Sequence, residues 1–319
     1  MHQRAIETKT VASASIHRDV PARLGFLALL VGNVALAFGP WFVRLADTDG
    51  GVGPVAAAFW RVTLAAPLIA AMALGAGARP ARLTPALWAT LMFAGVCFAA
   101  DLGSWHLGIL RTTLANATLF GNAATFIFPL YGFLMARAWP SRQQGVALAL
   151  AGFGAALLMG RSYQLDPRNL AGDLLCLLAG ILYAAYFIAM ARARAIMAPL
   201  SSLAVSTVAC IVPLWLFAHA LGEQIMPRDW SAVIGLALVS QVIGQGLMIY
   251  ALGKLSPLVV GLALLVQPVV AGTIGGFAYG ERLALPDFVG AGLVAVALVL
   301  VRGERRVARG TPDPQNEVA

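Results

Sequence analysis

The sequence predicts an all-α integral membrane protein of ten transmembrane helices, built as two inverted five-helix repeats. Three observations carry that expectation. Of 319 residues, 60% are hydrophobic and 11% charged, and the mean hydropathy is +0.82, outside the range of a soluble domain. The apolar residues fall into runs of the length that a hydrocarbon core of ~30 Å demands. A stretch near the C-terminus, Gln241 to Arg282, also has a fainter counterpart about 143 residues earlier, as expected of a duplicated fold.

In chain order the spans are expected at Arg23–Phe42, Pro54–Leu74, Ala86–His106, Thr113–Met135, Arg142–Gly160, Leu170–Ala191, Leu200–Leu221, Trp230–Leu252, Pro257–Tyr279 and Pro286–Val301. Residues 1–22 and 303–319 are polar, lack an apolar period, and read as disordered tails. The first repeat is then 23–160 and the second 170–302. Because five is odd, the second repeat enters the membrane from the opposite side, which gives two similar packings of the halves around a site at mid-depth.

The duplication is clearest at the corners. Gly253-Lys254-Leu255-Ser256-Pro257 places a helix stop and a helix start around one cation. Arg111 stands at the matching corner of the first half, and Gly132 matches Gly275. Within the ninth span, Pro268 predicts a kink, while Gly272, Gly276 and Gly280 share a helix face suited to close backbone contact.

Charge gives an orientation. With the N-terminus inside, the inner segments hold 15 of the 22 Lys and Arg residues, the outer segments six, and Arg61 lies within a span. The positive-inside rule then puts both termini in the cytoplasm. The net charge of +8 is thus a topology signal, and no basic patch for nucleic acid is present. Ala35-Leu36-Ala37 imitates a signal-peptide cleavage site, but cleavage would leave an odd number of spans. Cys97, Cys176 and Cys210 fall on three spans with no CxxC spacing, so they read as small core residues. Asn116-Ala-Thr118 matches a glycosylation pattern inside a span, a chance occurrence.

Span ends apart, few ionisable residues fall inside the spans: Arg61, Asp101, His106 and His219. Charges in hydrocarbon are costly and mark functional candidates. Arg61 and Asp101 lie at similar depth, so they are either a structural ion pair or, for Asp101, a substrate- or proton-linked group. His106 and His219 lie near the outer ends and read as interfacial residues or parts of a gate. The neutral polar residues suit a pocket better. Gln241 and Gln245, spaced i, i+4 beside Ser240, should share a helix face. Asn33, Asn122, Thr118, Thr125 and Gln267 supply further amides and hydroxyls, which serve either a wet pocket or hydrogen bonds between helices. Phe38, Trp41, Trp105, Tyr183 and Tyr186 are the candidate aromatic walls, the two tyrosines ahead of Trp41.

Several segments resemble a known family. ALGKLSPLVVGLALLVQPVVAGTIGGFAYGERL followed by Gly290 is similar to the second repeat of the drug/metabolite transporter superfamily, EamA type. SWHLGILRTTLANATLFGNAATFIFPLYGF resembles its first repeat, Phe59-Trp60-Arg61 its second helix, and Gly172-Asp173 with Tyr183 and Tyr186 its sixth. The likeness spans about residues 24–302 and, in length and in a divergent first repeat, is nearest the aromatic amino acid exporter branch of YddG type. It implies a ten-helix transporter. Two departures stand out: Thr125 replaces a proline, with Pro129 four residues on, and Ala138-Trp139 stand where the family has Gly-Glu-Arg. The kink of the fourth span is therefore expected one turn later.

Together these features predict a bacterial inner-membrane exporter of amino acids, aromatic or otherwise neutral, and of related metabolites, working by alternating access as a monomer. The expected substrate-binding residues are Asn33, Phe38, Asp101, Trp105, Asn122, Tyr183, Tyr186, Gln241, Gln245 and Gln267, with Arg61, Pro129, Pro268, Gly272 and Gly276 structural or gating. Its partners are the small solute and the bilayer, and no metal or cofactor is expected. Efflux of lipophilic cations is the alternative, and it would rest on Asp101. A receptor or an intramembrane enzyme fits less well, since there is no sensor domain and no HExxH, GxSxG or P-loop spacing.

Overall fold

The structure, a computed structural model, describes residues 23–48, 51–77, 84–112, 117, 120–160, 170–279 and 285–301. Both expected tails, Thr118 and Gly280 lie outside the described residues. Among the described residues the chain is helical, with no strand. We number ten helical stretches: α1 (Arg23–Thr48), α2 (Pro54–Gly75), α3 (Pro85–Ile109), α4 (Ala124–Ala136), α5 (Arg142–Gly160), α6 (Leu170–Ala193), α7 (Pro199–Ala220), α8 (Ser231–Leu252), α9 (Pro257–Ala263 continued by Val266–Tyr279) and α10 (Leu285–Val301). Seven of them, α1–α3 and α6–α9, are long and apolar enough to cross a membrane. The described part of α4 and the apolar part of α10, Phe288–Val301, are shorter.

Sequence chemistry sets many of the ends. Prolines 54, 85, 199 and 257 open α2, α3, α7 and α9 at positions where the missing N–H costs nothing. Thr84 and Ser256 cap two of these through their hydroxyl oxygens, which accept from Leu87 N and Val259 N. Gly77 and Gly222, at φ of 68° and 67°, let the chain leave α2 and α7. Large apolar side chains such as Leu27, Phe93, Phe153 and Phe288 point outward, a surface suited to lipid and not to water.

The helices pair across the two halves. α2 packs on α7, α4 on the first part of α9, and α5 on α10, while α3 runs along both α6 and α7. Small residues permit the close approaches. A Cβ on Gly172 of α6 would lie 2.6 Å from the Arg111 carbonyl at the end of α3, and a Cβ on Gly25 of α1 would lie 3.2 Å from Lys254 Cβ at the end of α8. The two corner cations matched in the sequence are thus each packed by a glycine near the start of the other half's first helix. The three cysteines are free and buried. In the ninth span Gly261 and Gly275 are buried, whereas Gly272 and Gly276 are half-buried.

Four helices depart from α geometry in mid-length. α1 turns at Phe38, two residues before Pro40. α9 is interrupted at Leu264-Leu265, where the ladder switches to i→i−3 bonds; Pro268, lacking an N–H, leaves the Leu264 carbonyl to accept from Gln267 N at 3.0 Å. α8 widens into a ten-residue π-helix, Leu236–Gln245, rare geometry that concentrates at functional sites. α4 begins after a turn at Asn122-Ala123, with Thr125 N bonded back to the Asn122 carbonyl at 2.8 Å. This break comes before the kink expected at Pro129, which lies inside α4. The break sits just before Thr125, as the α9 break sits just before Pro268, because turn-forming Gly121-Asn122 supplies what the absent proline would. Pro129 instead packs against Gly261 of α9, whose Cβ would lie 2.6 Å from it.

Candidate functional site

All four irregular segments meet at one cavity. It encloses about 620 Å³ including its mouth, and is lined by Leu36, Ala37 and Pro40 of α1, Arg61 of α2, Phe98, Asp101, Leu102 and Trp105 of α3, Gly121 and Asn122 before α4, Tyr183 of α6, Gln245 of α8, and Gln267 and Ala271 of α9. Non-helical backbone at membrane depth is tolerated where it borders protein or a wet cavity, and here every break borders this one. The α3 contribution follows from its period: Phe98, Asp101, Leu102 and Trp105 are spaced i, i+3, i+4, i+7 on one face.

Of the expected binding residues, Asp101, Trp105, Asn122, Tyr183, Gln245 and Gln267 line the cavity. Asn33 stands one shell back, accepting from Gln267 Nε2 at 2.9 Å and donating to the Leu29 carbonyl at 2.8 Å. Gln241 does likewise behind Arg61. Tyr186 is fully buried behind Phe98, stacked at 4.5 Å and 17°. Phe38 is half-buried at the α1 turn, edge-on to Trp41 at 6.4 Å. The π segment explains why the two glutamines part company despite their i, i+4 spacing. Gln241 meets Arg61 and Thr207, whereas Gln245 Oε1 accepts from the Tyr183 hydroxyl at 3.1 Å.

The expected Arg61–Asp101 ion pair is not formed: no salt bridge within 4.0 Å joins them. Both line the cavity. Arg61 donates Nε–H to Gln241 Oε1 at 3.0 Å and lies over the Phe98 ring at 5.9 Å. Asp101 is 8% exposed and makes no hydrogen bond or ion pair to the described residues. An acid and a base therefore face one small volume without neutralising each other directly. Beside them Gln245 is fully buried, with its Nε2 unpartnered. Aromatic rings border the same space: Phe98 stacks with Tyr183 at 6.1 Å, and Tyr183 packs on Phe187 at 4.2 Å. Phe98 was not singled out from the sequence, although its i−3 spacing from Asp101 marks the shared face.

One end of the bundle is tied by a loop that the sequence reading also passed over. Residues 221–230, between α7 and α8, cap the start of α2. Glu223 Oε2 accepts from Ala56 N at 2.8 Å, Gln224 O from Gly53 N at 3.0 Å, and Ile225 O from Trp60 Nε1 at 2.6 Å. Trp60 and Trp230 meet edge-to-face at 4.9 Å. His106 is not interfacial as expected but fully buried here, donating Nδ1–H to the Pro54 carbonyl at 2.9 Å. His219 is exposed and stacks on Trp215.

Burial raises the Glu223 carboxyl above its ordinary 4.5, opposed by the Ala56 and Val55 amides. A raised carboxyl holds a proton that the unfolded chain has released, so its contribution to stability is full below about pH 4.5 and falls as pH rises through the raised value. Glu223→Gln keeps an acceptor for Ala56 N and removes the titration. Thermal unfolding in detergent should show wild type losing ground to the variant as pH rises above 4.5; parallel pH profiles would contradict this.

Residues 170–303 match the EamA-like transporter family. The second half of the chain is thus similar to an EamA-like transporter domain. With its apolar helices, this makes the protein a multi-pass membrane protein. Tyr183, Gln245, Gln267 and Ala271 of the cavity belong to that domain, and the remaining lining comes from the half before it. A solved crystal structure resembles the chain at TM-score 0.67 over 88% of this chain and 97% of the other, with 16% identity, a likeness of fold alone. Among curated proteins no match is found. Among the described residues no cluster of His, Cys, Asp and Glu is suited to a metal ion.

Proposed function

We propose that the protein is an inner-membrane transporter of zwitterionic amino acids, exporting neutral ones, aromatic among them, by alternating access between two inverted halves. One observation carries the reading: Asp101 and Arg61 face a single aromatic-walled cavity without pairing with each other. A solute bearing both an ammonium and a carboxylate completes both charges at once, whereas either charge alone in hydrocarbon is costly. Phe98, Trp105 and Tyr183 then cover its side chain.

The inverted repeat is supported by the pairing of α2 with α7, α4 with α9 and α5 with α10, each five helices apart, and by the matched packing of Gly172 on Arg111 and Gly25 on Lys254. The 15-to-6 distribution of Lys and Arg supports cytoplasmic termini. The breaks in α1, α4, α8 and α9 around the cavity supply hinges for rocking one half on the other.

Uptake of radiolabelled phenylalanine and leucine into proteoliposomes tests the reading. Saturable uptake without an imposed pH gradient, and its loss in Gln245→Ala, is expected. No uptake of any neutral amino acid, with or without a gradient, would sink it. Efflux of lipophilic cations is the second reading, favoured by the unpartnered Asp101 and disfavoured by Arg61 in the same cavity. Arg61→Leu separates the two: it removes amino acid uptake but spares or improves transport of a lipophilic cation such as ethidium.

A further inference from the structure

Gln241 is fully buried and does not line the cavity, yet both atoms of its amide are committed. Oε1 accepts from Arg61 Nε at 3.0 Å, and Nε2 donates to Thr207 Oγ1 at 3.2 Å. The two bonds fix the amide's orientation, since a guanidinium only donates and the hydroxyl oxygen is left to accept from the amide nitrogen. They also bind three helices, α2, α7 and α8, at one point, and the π segment of α8 brings Gln241 there.

The consequence falls on Arg61. A guanidinium carries five donors in a rigid fork. Gln241 takes the one on Nε, and among the described residues no protein acceptor takes those on Nη1 and Nη2. The Phe98 ring beneath the guanidinium, 5.9 Å away, limits its tilt. The free edge of the fork is thus presented to the cavity that Arg61 lines, in the form that binds a carboxylate with two parallel bonds.

We infer that Gln241, itself held by Thr207, is a positioning residue that aims the Arg61 fork into the cavity, so that the site selects solutes bearing a carboxylate over the corresponding amines. This rests on the zwitterion reading above and goes further, since it names a residue outside the cavity that sets its selectivity. Removing the Gln241 acceptor lets the guanidinium swing toward other acceptors and lowers affinity for carboxylate-bearing solutes alone. A side chain that merely glued three helices would weaken every ligand alike.

The test is direct binding to purified protein in detergent, comparing phenylalanine with phenethylamine, which has the same ring and ammonium but no carboxylate. Gln241→Leu should weaken phenylalanine about tenfold, the loss of one charge-assisted hydrogen bond, and change phenethylamine less than about twofold. Thr207→Val, nearly the same shape, should shift the same ratio in the same direction while leaving Gln241 in place, and it covers the case in which Gln241→Leu does not fold. Equal weakening of both ligands, or of neither, in a folded variant would overturn the inference while leaving the zwitterion reading intact. Wild-type protein that binds neither ligand would overturn that reading and this inference with it.

Discussion

If the zwitterion reading proposed above holds, Asp101→Asn should lower uptake of a neutral amino acid by about 10- to 100-fold. The magnitude is that of one charge-assisted hydrogen bond, about 1.5–3 kcal/mol, converted at 1.4 kcal/mol per tenfold. The substitution keeps shape and polarity, and it breaks no hydrogen bond or ion pair within the described protein, because Asp101 makes none. What it removes is the carboxyl group that lines the cavity together with Arg61. The loss should therefore appear in transport without a matching fall in thermal stability. An Asn variant that is inactive because it is unfolded, or folded and fully active, contradicts a substrate-facing role for Asp101.

The second large effect is structural. Gly172→Ala forces a Cβ to within 2.6 Å of the Arg111 carbonyl carbon and oxygen and 2.9 Å of Thr112 Cβ. These are mostly backbone atoms at a junction further fixed by the 2.5 Å bond from Thr112 Oγ1 to Asp173 Oδ1. Nothing there yields as the far end of a flexible side chain would, so α3 and α6 must separate, at about 1–3 kcal/mol. Gly145→Ala of α5 is the control: nothing lies within 4 Å of its added methyl, and a helical alanine is worth roughly 0.5–1 kcal/mol over glycine. In detergent the first variant should melt below wild type and the second at or above it. Equal melting temperatures would show that the α3–α6 contact is looser than described.

Much of this architecture is legible in the chain. Helix starts follow from prolines, and the expected Ala86–His106 and Trp230–Leu252 differ from the observed Pro85–Ile109 and Ser231–Leu252 by only a few residues. Asp101, Tyr183, Gln245 and Gln267 stand out because polar groups in apolar runs must find partners or a cavity. Other features depend on which helices meet, which one sequence does not state. An i, i+4 spacing reads the same in an α and a π segment, so the divergence of Gln241 from Gln245 is invisible. Phe98 looks like any other apolar residue until Tyr183 and Tyr186 stack on it. Glu223 looks like loop charge until the amide of Ala56, 167 residues away, is seen to donate to it. The ion pair read from similar depths failed for a related reason: depth does not fix rotation, and Gln241 reaches Arg61 where Asp101 does not.

The central claim is that one solute satisfies Asp101 and Arg61 together. Competition against labelled phenylalanine uptake in proteoliposomes tests it most directly, using unlabelled phenylalanine, phenethylamine, which lacks the carboxylate, and 3-phenylpropionate, which lacks the ammonium. The zwitterion should compete at least about tenfold better than either truncated analogue, since each leaves one buried charge unanswered. An amine that competes as well as phenylalanine would contradict the account and make this a cation carrier in which Arg61 plays no part in recognition.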